Sequence, residues 1–257
     1  MNSDLAVPMI EIADVSKKYG NARAVLEAVD LFVLKEEFVT LVGPSGCGKS
    51  TVLKLISGLT APTAGLVRVD GMTPVDAREI VSYIFQDATL LPWRTVRQNV
   101  GLGLELEGLS KHRRTEKISE LLQLVGLGHV AGAYPRELSG GMKMRVSIAR
   151  ALATSPRLLL MDEPFAALDE ISRDRLNEEL LRLRMEQKWT AIFVTHSVAE
   201  AVFLSTRILV LAPNPGRICA TVPVDLPWPR TADLRETPAF EAMVAEVSHT
   251  LRGAAAR

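Results

Sequence analysis

The 257-residue sequence has few cysteines, few aromatic residues and no excess of charge. Its two cysteines, Cys47 and Cys219, lie far apart in sequence and do not make a disulfide framework, so a reducing compartment fits the chain best. The 30 Lys and Arg residues balance the 30 Asp and Glu residues. Nucleic-acid binding rests on many Lys and Arg contacts to phosphates, and this balance therefore argues against a nucleic-acid partner.

Hydrophobic residues make up 47% of the sequence, but no apolar run is long enough to cross a bilayer. A membrane-spanning helix needs about 20 consecutive apolar residues. The strongest runs here, residues 158–161, 191–194 and 208–212, are short and bordered by polar residues, which is typical of buried strands. Residues 1–11 also lack the basic start and apolar stretch of a signal peptide. We expect a soluble cytoplasmic protein that reaches a membrane only through a partner.

Apolar strands alternate with helices over much of the chain. The predicted elements are strands at 39–42, 80–85, 158–161, 191–194 and 208–211, and helices at 49–57 and 172–187. In the second helix Leu176, Leu180 and Leu183 form one apolar stripe, as an amphipathic helix requires. This alternation predicts an α/β fold with a mostly parallel sheet.

Three regions depart from the alternation. Residues 10–38 read as short strands with a turn at Gly20 and Asn21, which predicts an antiparallel sheet beside the core. Residues from about 95 to 154 are almost all helical in pattern. After Asn214 the chain becomes proline-rich, and it closes with an amphipathic helix near 240–251.

A glycine-rich segment follows the strand at 39–42. It matches the pattern G-x-x-x-x-G-K-[ST] at every position, with Gly43, Pro44, Ser45, Gly46, Cys47, Gly48, Lys49 and Ser50. Glycines let backbone N–H groups turn toward phosphate oxygens, and the helix that follows adds the positive end of its dipole. Lys49 would supply a charge to the β- and γ-phosphates, and the Ser50 hydroxyl would ligate Mg²⁺. We call residues 43–50 the phosphate loop and predict that, with Thr51 beside it, the loop binds ATP and Mg²⁺. The alternative is a chance glycine-rich turn.

Cys47 lies inside the phosphate loop, where a small residue is needed. Cys47 is expected to be there because its side chain is small enough to fit, and the alternative is a redox role for its thiol. A bulky thiol reagent on Cys47 is expected to inhibit nucleotide binding, and ATP is expected to protect the thiol.

Two acids end the strand at 158–161, and a histidine ends the next strand. In open α/β sheets the carboxyl ends of the strands are where ligands bind. We therefore expect Asp162 to hold Mg²⁺, Glu163 to polarise the attacking water and His196 to sense the γ-phosphate. The alternatives are an ordinary acidic turn and a structural histidine.

A second anion site is predicted at the start of another helix. Leu138 is followed by Ser139, Gly140, Gly141 and Met142, and a helix is predicted from there to about residue 154. Serine and glycine at a helix N-terminus leave backbone N–H groups open to an anion. One chain therefore carries two phosphate-binding surfaces.

With these motifs in this order, residues 10–215 resemble the ATP-binding subunit of an ATP-binding-cassette (ABC) transporter. The resemblance implies a P-loop NTPase core over residues 1–215, with an N-terminal antiparallel β-subdomain and a helical subdomain inserted at about 87–155. Residues 216–257 then form a C-terminal extension.

The resemblance also implies roles for single residues. Tyr19 matches the aromatic residue that stacks on adenine, and Gln86 matches the glutamine that reaches Mg²⁺ and the attacking water. Residues 139–142 match the signature that contacts the γ-phosphate of ATP held by a second subunit. Asp169 matches the loop that couples the two sites, and His196 matches the switch histidine. Met142 stands where most family members have glutamine, so that side-chain hydrogen bond is absent.

The partners implied by the resemblance are a second ATPase subunit, membrane permease subunits and, indirectly, a substrate-binding protein. The two ATPase chains are expected to form a head-to-tail homodimer that closes on two ATP molecules at the cytoplasmic face of the inner membrane. Segments 90–93, 134–142 and 225–230 resemble those of bacterial importer ATPases for nitrate, sulfonate and taurine. Leu90, Leu91 and Trp93 are either buried or covered by the coupling helix of the permease.

The sequence leaves three alternative functions open. The first is a non-transport ABC ATPase that acts on DNA or the ribosome, but no coiled-coil insertion or basic linker is seen in the sequence. The second is a regulatory or scaffold protein without turnover, which the presence of Lys49, Asp162, Glu163 and His196 disfavours. The third is a small-molecule kinase, which would leave residues 139–142 unexplained.

Overall fold

The computed structural model describes residues 7–20 and 23–255. Asn21 of the predicted turn, and residues 1–6 and 256–257 of the predicted domains, lie outside the described residues. Within the described residues, no helix is both long and apolar enough to cross a membrane.

The chain forms nine strands and eight α-helices over the described residues. In chain order they are β1 (Ile10–Lys17), β2 (Leu26–Val33), β3 (Phe38–Val42), α1 (Lys49–Ile56), β4 (Ala64–Val69), β5 (Val81–Ile84), α2 (Val96–Val100), α3 (Leu102–Leu106), α4 (Lys111–Leu124), α5 (Gly140–Ala153), β6 (Leu158–Asp162), α6 (Glu170–Gln187), β7 (Thr190–Val194), α7 (Val198–Leu204), β8 (Arg207–Ala212), β9 (Arg217–Pro223) and α8 (Pro238–Ala255). Short 3₁₀ helices lie at Asp76–Ile80, Gly128–Val130, Pro135–Glu137 and Ala232–Glu236.

The main sheet has six strands in the order β5-β6-β7-β3-β8-β9. The first five strands are parallel, and only β9 runs antiparallel to its neighbour β8. Every residue of β3, β6 and β7 is buried, as expected for parallel strands that are covered on both faces. The predicted α/β fold with a mostly parallel sheet is confirmed. Strand β9 is an addition, because the sequence predicts only a proline-rich segment and a closing amphipathic helix after Asn214.

The antiparallel sheet has three strands in the order β2-β1-β4. Strands β1 and β2 come from the predicted N-terminal region, but β4 lies beyond the phosphate loop and α1 in sequence. The prediction of an antiparallel sheet is confirmed, whereas its restriction to residues 10–38 is wrong.

Helices α2 to α5 lie between β5 and β6, where the sequence predicts the helical insertion. Thr95 and Gln98 form a capping box at the start of α2, and α5 packs against α2 and α4. The buried Asn99 side chain bonds to the backbone of Leu91 and Arg94, which holds the segment before α2 in place.

The region after β9 is tied to the rest of the fold by a buried arginine. Arg230 Nη1 donates to the carbonyl oxygens of Val202, Phe203 and Ser205 at 3.0, 2.9 and 2.8 Å. These carbonyls lie at the C-terminal end of α7, where a cation is favourable. Helix α8 packs against α7 and β8. The domain boundaries at 87–155 and 215 stay predictions.

Candidate functional site

The phosphate loop connects the end of β3 to the start of α1. Gly46 and Gly48 have φ angles of +78° and +97°, in the left-handed region that favours glycine. A Cβ atom on Gly48 would also lie 2.5 Å from Leu26 Cδ2. Backbone conformation and space therefore both require glycine at position 48, just before the first residue of the helix.

Lys49 lies buried beneath the loop, and its ammonium group is held by backbone carbonyls. Lys49 Nζ donates to the carbonyl oxygens of Gly43 and Pro44 at 2.8 and 3.0 Å. The loop borders a cavity of about 350 Å³, which we call the nucleotide cavity. It is lined by Val25, Ser45, Gly46, Gly48, Lys49, Ser50, Thr51, Gln86, Glu163 and His196.

Cys47 is fully buried in the phosphate loop, with its sulfur 3.9 Å from Lys49 Nζ. Burial raises the pKa of the Cys47 thiol, although the nearby Lys49 charge opposes this. The thiol is therefore neither exposed nor activated as a nucleophile.

Ser50 and Asp162 are brought together as the sequence predicts. Ser50 Oγ donates to Asp162 Oδ1 at 2.9 Å, and Tyr83 on β5 donates its hydroxyl to Asp162 Oδ2 at 3.3 Å. Burial and the negative charge of Asp162 raise the pKa of Tyr83, so that it stays a neutral donor. The sequence prediction missed Tyr83, whose signal is only its place on a strand next to β6.

Glu163 and His196 also meet. His196 Nε2 lies 2.6 Å from Glu163 Oε1, and Gln86 Nε2 donates to Glu163 Oε2 at 3.5 Å. Gln86, Glu163 and His196 follow β5, β6 and β7, which are neighbours in the parallel sheet, while the phosphate loop follows β3 beside β7. The topology therefore places all four at one edge of the sheet.

Residues 139–142 are not among the described residues that line the nucleotide cavity. Ser139 caps α5, where its Oγ accepts from Met142 N at 3.3 Å, and both Ser139 and Gly140 are exposed. Gly141 and Met142 are half-buried at the same helix end, and Met142 packs against the core.

Asp169 and Tyr19 are likewise outside the cavity lining. Asp169 caps α6 and accepts from Ser172 N at 2.9 Å, and this bond lowers the pKa of Asp169. Tyr19 is 45% exposed, and Lys17 Nζ lies 4.8 Å from the centre of its ring. The assigned contacts of Tyr19, Asp169 and residues 139–142 with nucleotide stay predictions.

The segment predicted to contact a permease is partly open to solvent. Trp93 is 71% exposed, while Leu90 and Leu91 are half-buried. A large exposed aromatic side chain next to partly covered leucines is typical of an interaction surface.

Comparisons with known proteins agree on one family. A family model described as ABC transporter matches residues 26–166. A putative ATP-binding protein of Brucella abortus is 45% identical over 244 residues, which cover 95% of this chain and 94% of that protein. The nitrate import ATP-binding protein NrtD of a Synechocystis strain is 42% identical over 253 residues and 95% of each chain.

Two further matches are a longer transport protein and a solved structure. The bicarbonate transport ATP-binding protein CmpC of Synechococcus elongatus is 43% identical over 250 residues, covering 94% of this chain but 38% of that protein. Among solved structures, the dimeric post-hydrolysis state of the ATP-binding cassette MJ0796 bound to ADP and Pi matches with a TM-score of 0.79 and 32% identity. The match covers 85% of this chain and all of that chain (100%).

Proposed function

The chain belongs to the ABC transporter family as an ATP-binding subunit, and we propose that it powers a membrane permease that imports a small anion or organic compound. The resemblance that the motifs predict is confirmed, and the chain is an ABC ATPase. The proposal that the chain hydrolyses ATP to power the permease rests on one observation. Five side chains suited to binding and hydrolysing ATP converge at one edge of the sheet: Lys49, Ser50, Asp162, Glu163 and His196.

The residues around the nucleotide cavity fit the phosphates of ATP and a Mg²⁺ ion. The glycine-rich backbone and Lys49 would hold the phosphates. Ser50 and Asp162 already place two oxygen atoms 2.9 Å apart, and with Gln86 they are hard oxygen donors of the type that Mg²⁺ prefers. When bound, Mg²⁺ neutralises charge on the phosphates.

In this proposal Glu163 orients the attacking water and accepts its proton. One carboxylate oxygen contacts His196 Nε2 and the other contacts the Gln86 amide, so the side chain is held from two sides. A base held in this way loses little orientational freedom during the reaction.

Replacing Glu163 by Gln tests the ATPase assignment. The amide keeps the shape of the side chain but does not accept a proton, so we expect turnover to fall by about 10²–10⁴-fold while ATP still binds. Phosphate release and fluorescent-nucleotide titration measure the two effects. Glu107→Gln, an exposed residue outside the site, is the matched control. Near-wild-type turnover in Glu163→Gln contradicts the proposed role.

The proposed cargo class is a small anion or organic compound of the nitrate, sulfonate or taurine type. The support is that two relatives at 42% and 43% identity are named for nitrate import and bicarbonate transport. The chain is proposed to act at the cytoplasmic face of the inner membrane, as one of two identical subunits bound to a permease.

Trp93→Ala tests the permease contact. If the exposed ring docks on the permease, the variant loses anion uptake in cells, whereas the purified chain keeps its basal ATPase rate. Leu106→Ala is the control, because Leu106 is 83% exposed in the same helical region. Uptake of labelled nitrate or taurine that is equal in wild type and Trp93→Ala argues against the contact.

A further inference from the structure

A second, smaller cavity of about 120 Å³ lies beside the nucleotide cavity and shares Glu163 and His196 with it. It is lined by Glu163, Phe165, Ala166, Arg173, Thr195, His196, Ser197 and Glu200. Glu200 is a buried carboxylate, only 5% exposed, that the function proposed above does not use. A buried charge is costly unless it is paired and hydrogen-bonded, so the contacts of Glu200 show which segments of the chain it connects.

The first group of contacts fixes the turn that carries His196. Thr195 Oγ1 donates to Glu200 Oε2, and Thr195 Oγ1 also accepts from the backbone N–H of Ser197 at 3.0 Å. Ser197 Oγ in turn accepts from the backbone N–H of Glu200 at 3.3 Å, as the N-cap of α7. His196 therefore lies between two residues whose positions are fixed by bonds to the start of α7.

The second group of contacts links Glu200 to α6 and to the loop before it. Arg173 Nε forms an ion pair with Glu200 Oε1 at 3.3 Å, and Arg173 Nη2 donates to the carbonyl oxygen of Leu168 at 3.0 Å. Burial raises the pKa of Glu200, while the bond from Thr195 and the charge of Arg173 oppose this. The carboxylate thus joins the loop that ends at Asp169 to the turn that carries His196.

We propose that Glu200 is a positioning residue for ATP hydrolysis, which acts through Thr195 to hold His196 Nε2 against Glu163. The proposal rests on the ATPase role of Glu163 given above. Neither Thr195 nor Glu200 is among the described residues that line the nucleotide cavity, so the pair acts on the orientation of His196 and not on ATP binding. A shift of about 1 Å in a reacting group lowers rates by up to about 10²-fold, so a loosened turn has a measurable effect.

Thr195→Val and Thr195→Ser form the test pair. Valine has the shape of threonine without the hydroxyl, and serine keeps the hydroxyl. We expect Thr195→Val to lower kcat by about 10-fold or more with KM for ATP unchanged, and Thr195→Ser to recover most of the rate. Full-length chain, phosphate release at saturating ATP and Mg²⁺, and thermal unfolding give kcat, KM and fold integrity. Equal kcat in wild type and Thr195→Val overturns the proposal.

A double-mutant cycle with His196→Ala distinguishes positioning from a general structural loss. If Thr195 acts through His196, Thr195→Val has no further effect on single-turnover phosphate release in the His196→Ala background. The same fold-decrease in both backgrounds overturns the proposal. Should Thr195→Val not fold, Glu200→Gln keeps the side-chain volume and is compared in the same two backgrounds, with the same two outcomes. Full turnover in Glu163→Gln instead refutes the proposed function itself, so the two failures are distinguishable.

Discussion

At the scale of single residues, Cys47 shows how burial changes an expectation drawn from sequence. Its place in the phosphate loop suggests that a thiol reagent would block nucleotide binding. The structure buries the side chain completely, and burial raises the pKa of its thiol. Thiolate is the reactive form, so Cys47 has too little thiolate and too little access to react quickly in the native state.

We therefore predict two thiols of different reactivity. Cys219 is exposed and should react with a small aromatic disulfide in a fast phase, while Cys47 follows at least about 10-fold more slowly. Raising the pH speeds the slow phase, because the raised pKa of the Cys47 thiol leaves little thiolate at neutral pH. Bound ATP should slow the second phase further. The control, Cys47→Ala, should show only the fast phase. If both thiols of the wild type react in one fast phase, the prediction is wrong.

At the scale of elements, the turn between β8 and β9 packs against the phosphate loop. Gly216 in this turn donates its N–H to the carbonyl oxygen of Val25 at 2.9 Å, and its own carbonyl accepts from Glu27 N at 3.1 Å. A Cβ atom at this position would lie 2.1 Å from the carbonyl oxygen of Cys47. The turn thus packs directly against the backbone of the phosphate loop, and neither segment has a sequence pattern that indicates this contact.

Gly216→Ala is predicted to destabilise the protein and to weaken ATP binding. The added methyl group has to push the Cys47 carbonyl away, and overpacking of this kind costs about 1–3 kcal/mol. Denaturant unfolding and fluorescent-nucleotide titration measure the two effects. Gly253→Ala is the matched control, because Gly253 is exposed in α8 with open space around it, and alanine there should stabilise by up to about 1 kcal/mol. Unchanged ATP affinity in Gly216→Ala would show that the turn does not support the loop.

The elements that could be predicted are those with a strong local pattern. β3, β6 and β7 are continuous buried runs, and each is followed by the motif that the sequence identifies. β4 and β9 were missed because most of their residues are exposed or half-buried, so that no buried run marks them. These two segments are strands because their backbones hydrogen-bond to β1 and β8.

The site residues also fall into those that a local sequence pattern predicts and those that it does not. Lys49, Ser50, Asp162, Glu163 and His196 meet as expected, because each lies at or after the carboxyl end of a strand of one parallel sheet and such ends share an edge. Tyr83, Gly216 and Glu200 were missed because their importance lies in contacts between distant segments. Contacts of this kind cannot be predicted from the spacing of residues along the sequence.

At the scale of the whole molecule, the two predicted phosphate-binding surfaces do not meet within one chain. Lys49 and Glu163 line the nucleotide cavity, whereas Ser139 and Gly140 are exposed at the start of α5 and are not among the described residues of its lining. A structurally similar cassette has been solved as a dimer bound to ADP and Pi. We therefore propose that residues 139–142 of one chain complete the nucleotide cavity of a second chain, in a two-fold symmetric pair.

Mixing two inactive variants tests this arrangement. Lys49→Ala disables the phosphate loop but leaves residues 139–142 intact, and Ser139→Arg does the reverse, so each variant alone should be inactive. In a mixed dimer the loop of the Ser139→Arg chain faces the intact signature of the Lys49→Ala chain, and one site is restored. Random exchange at equal concentrations makes about half of the dimers mixed, so phosphate release should recover to at most about one quarter of the wild-type rate. If each chain used its own signature, no mixture would contain an intact site, and the rate would stay at the level of the separate variants.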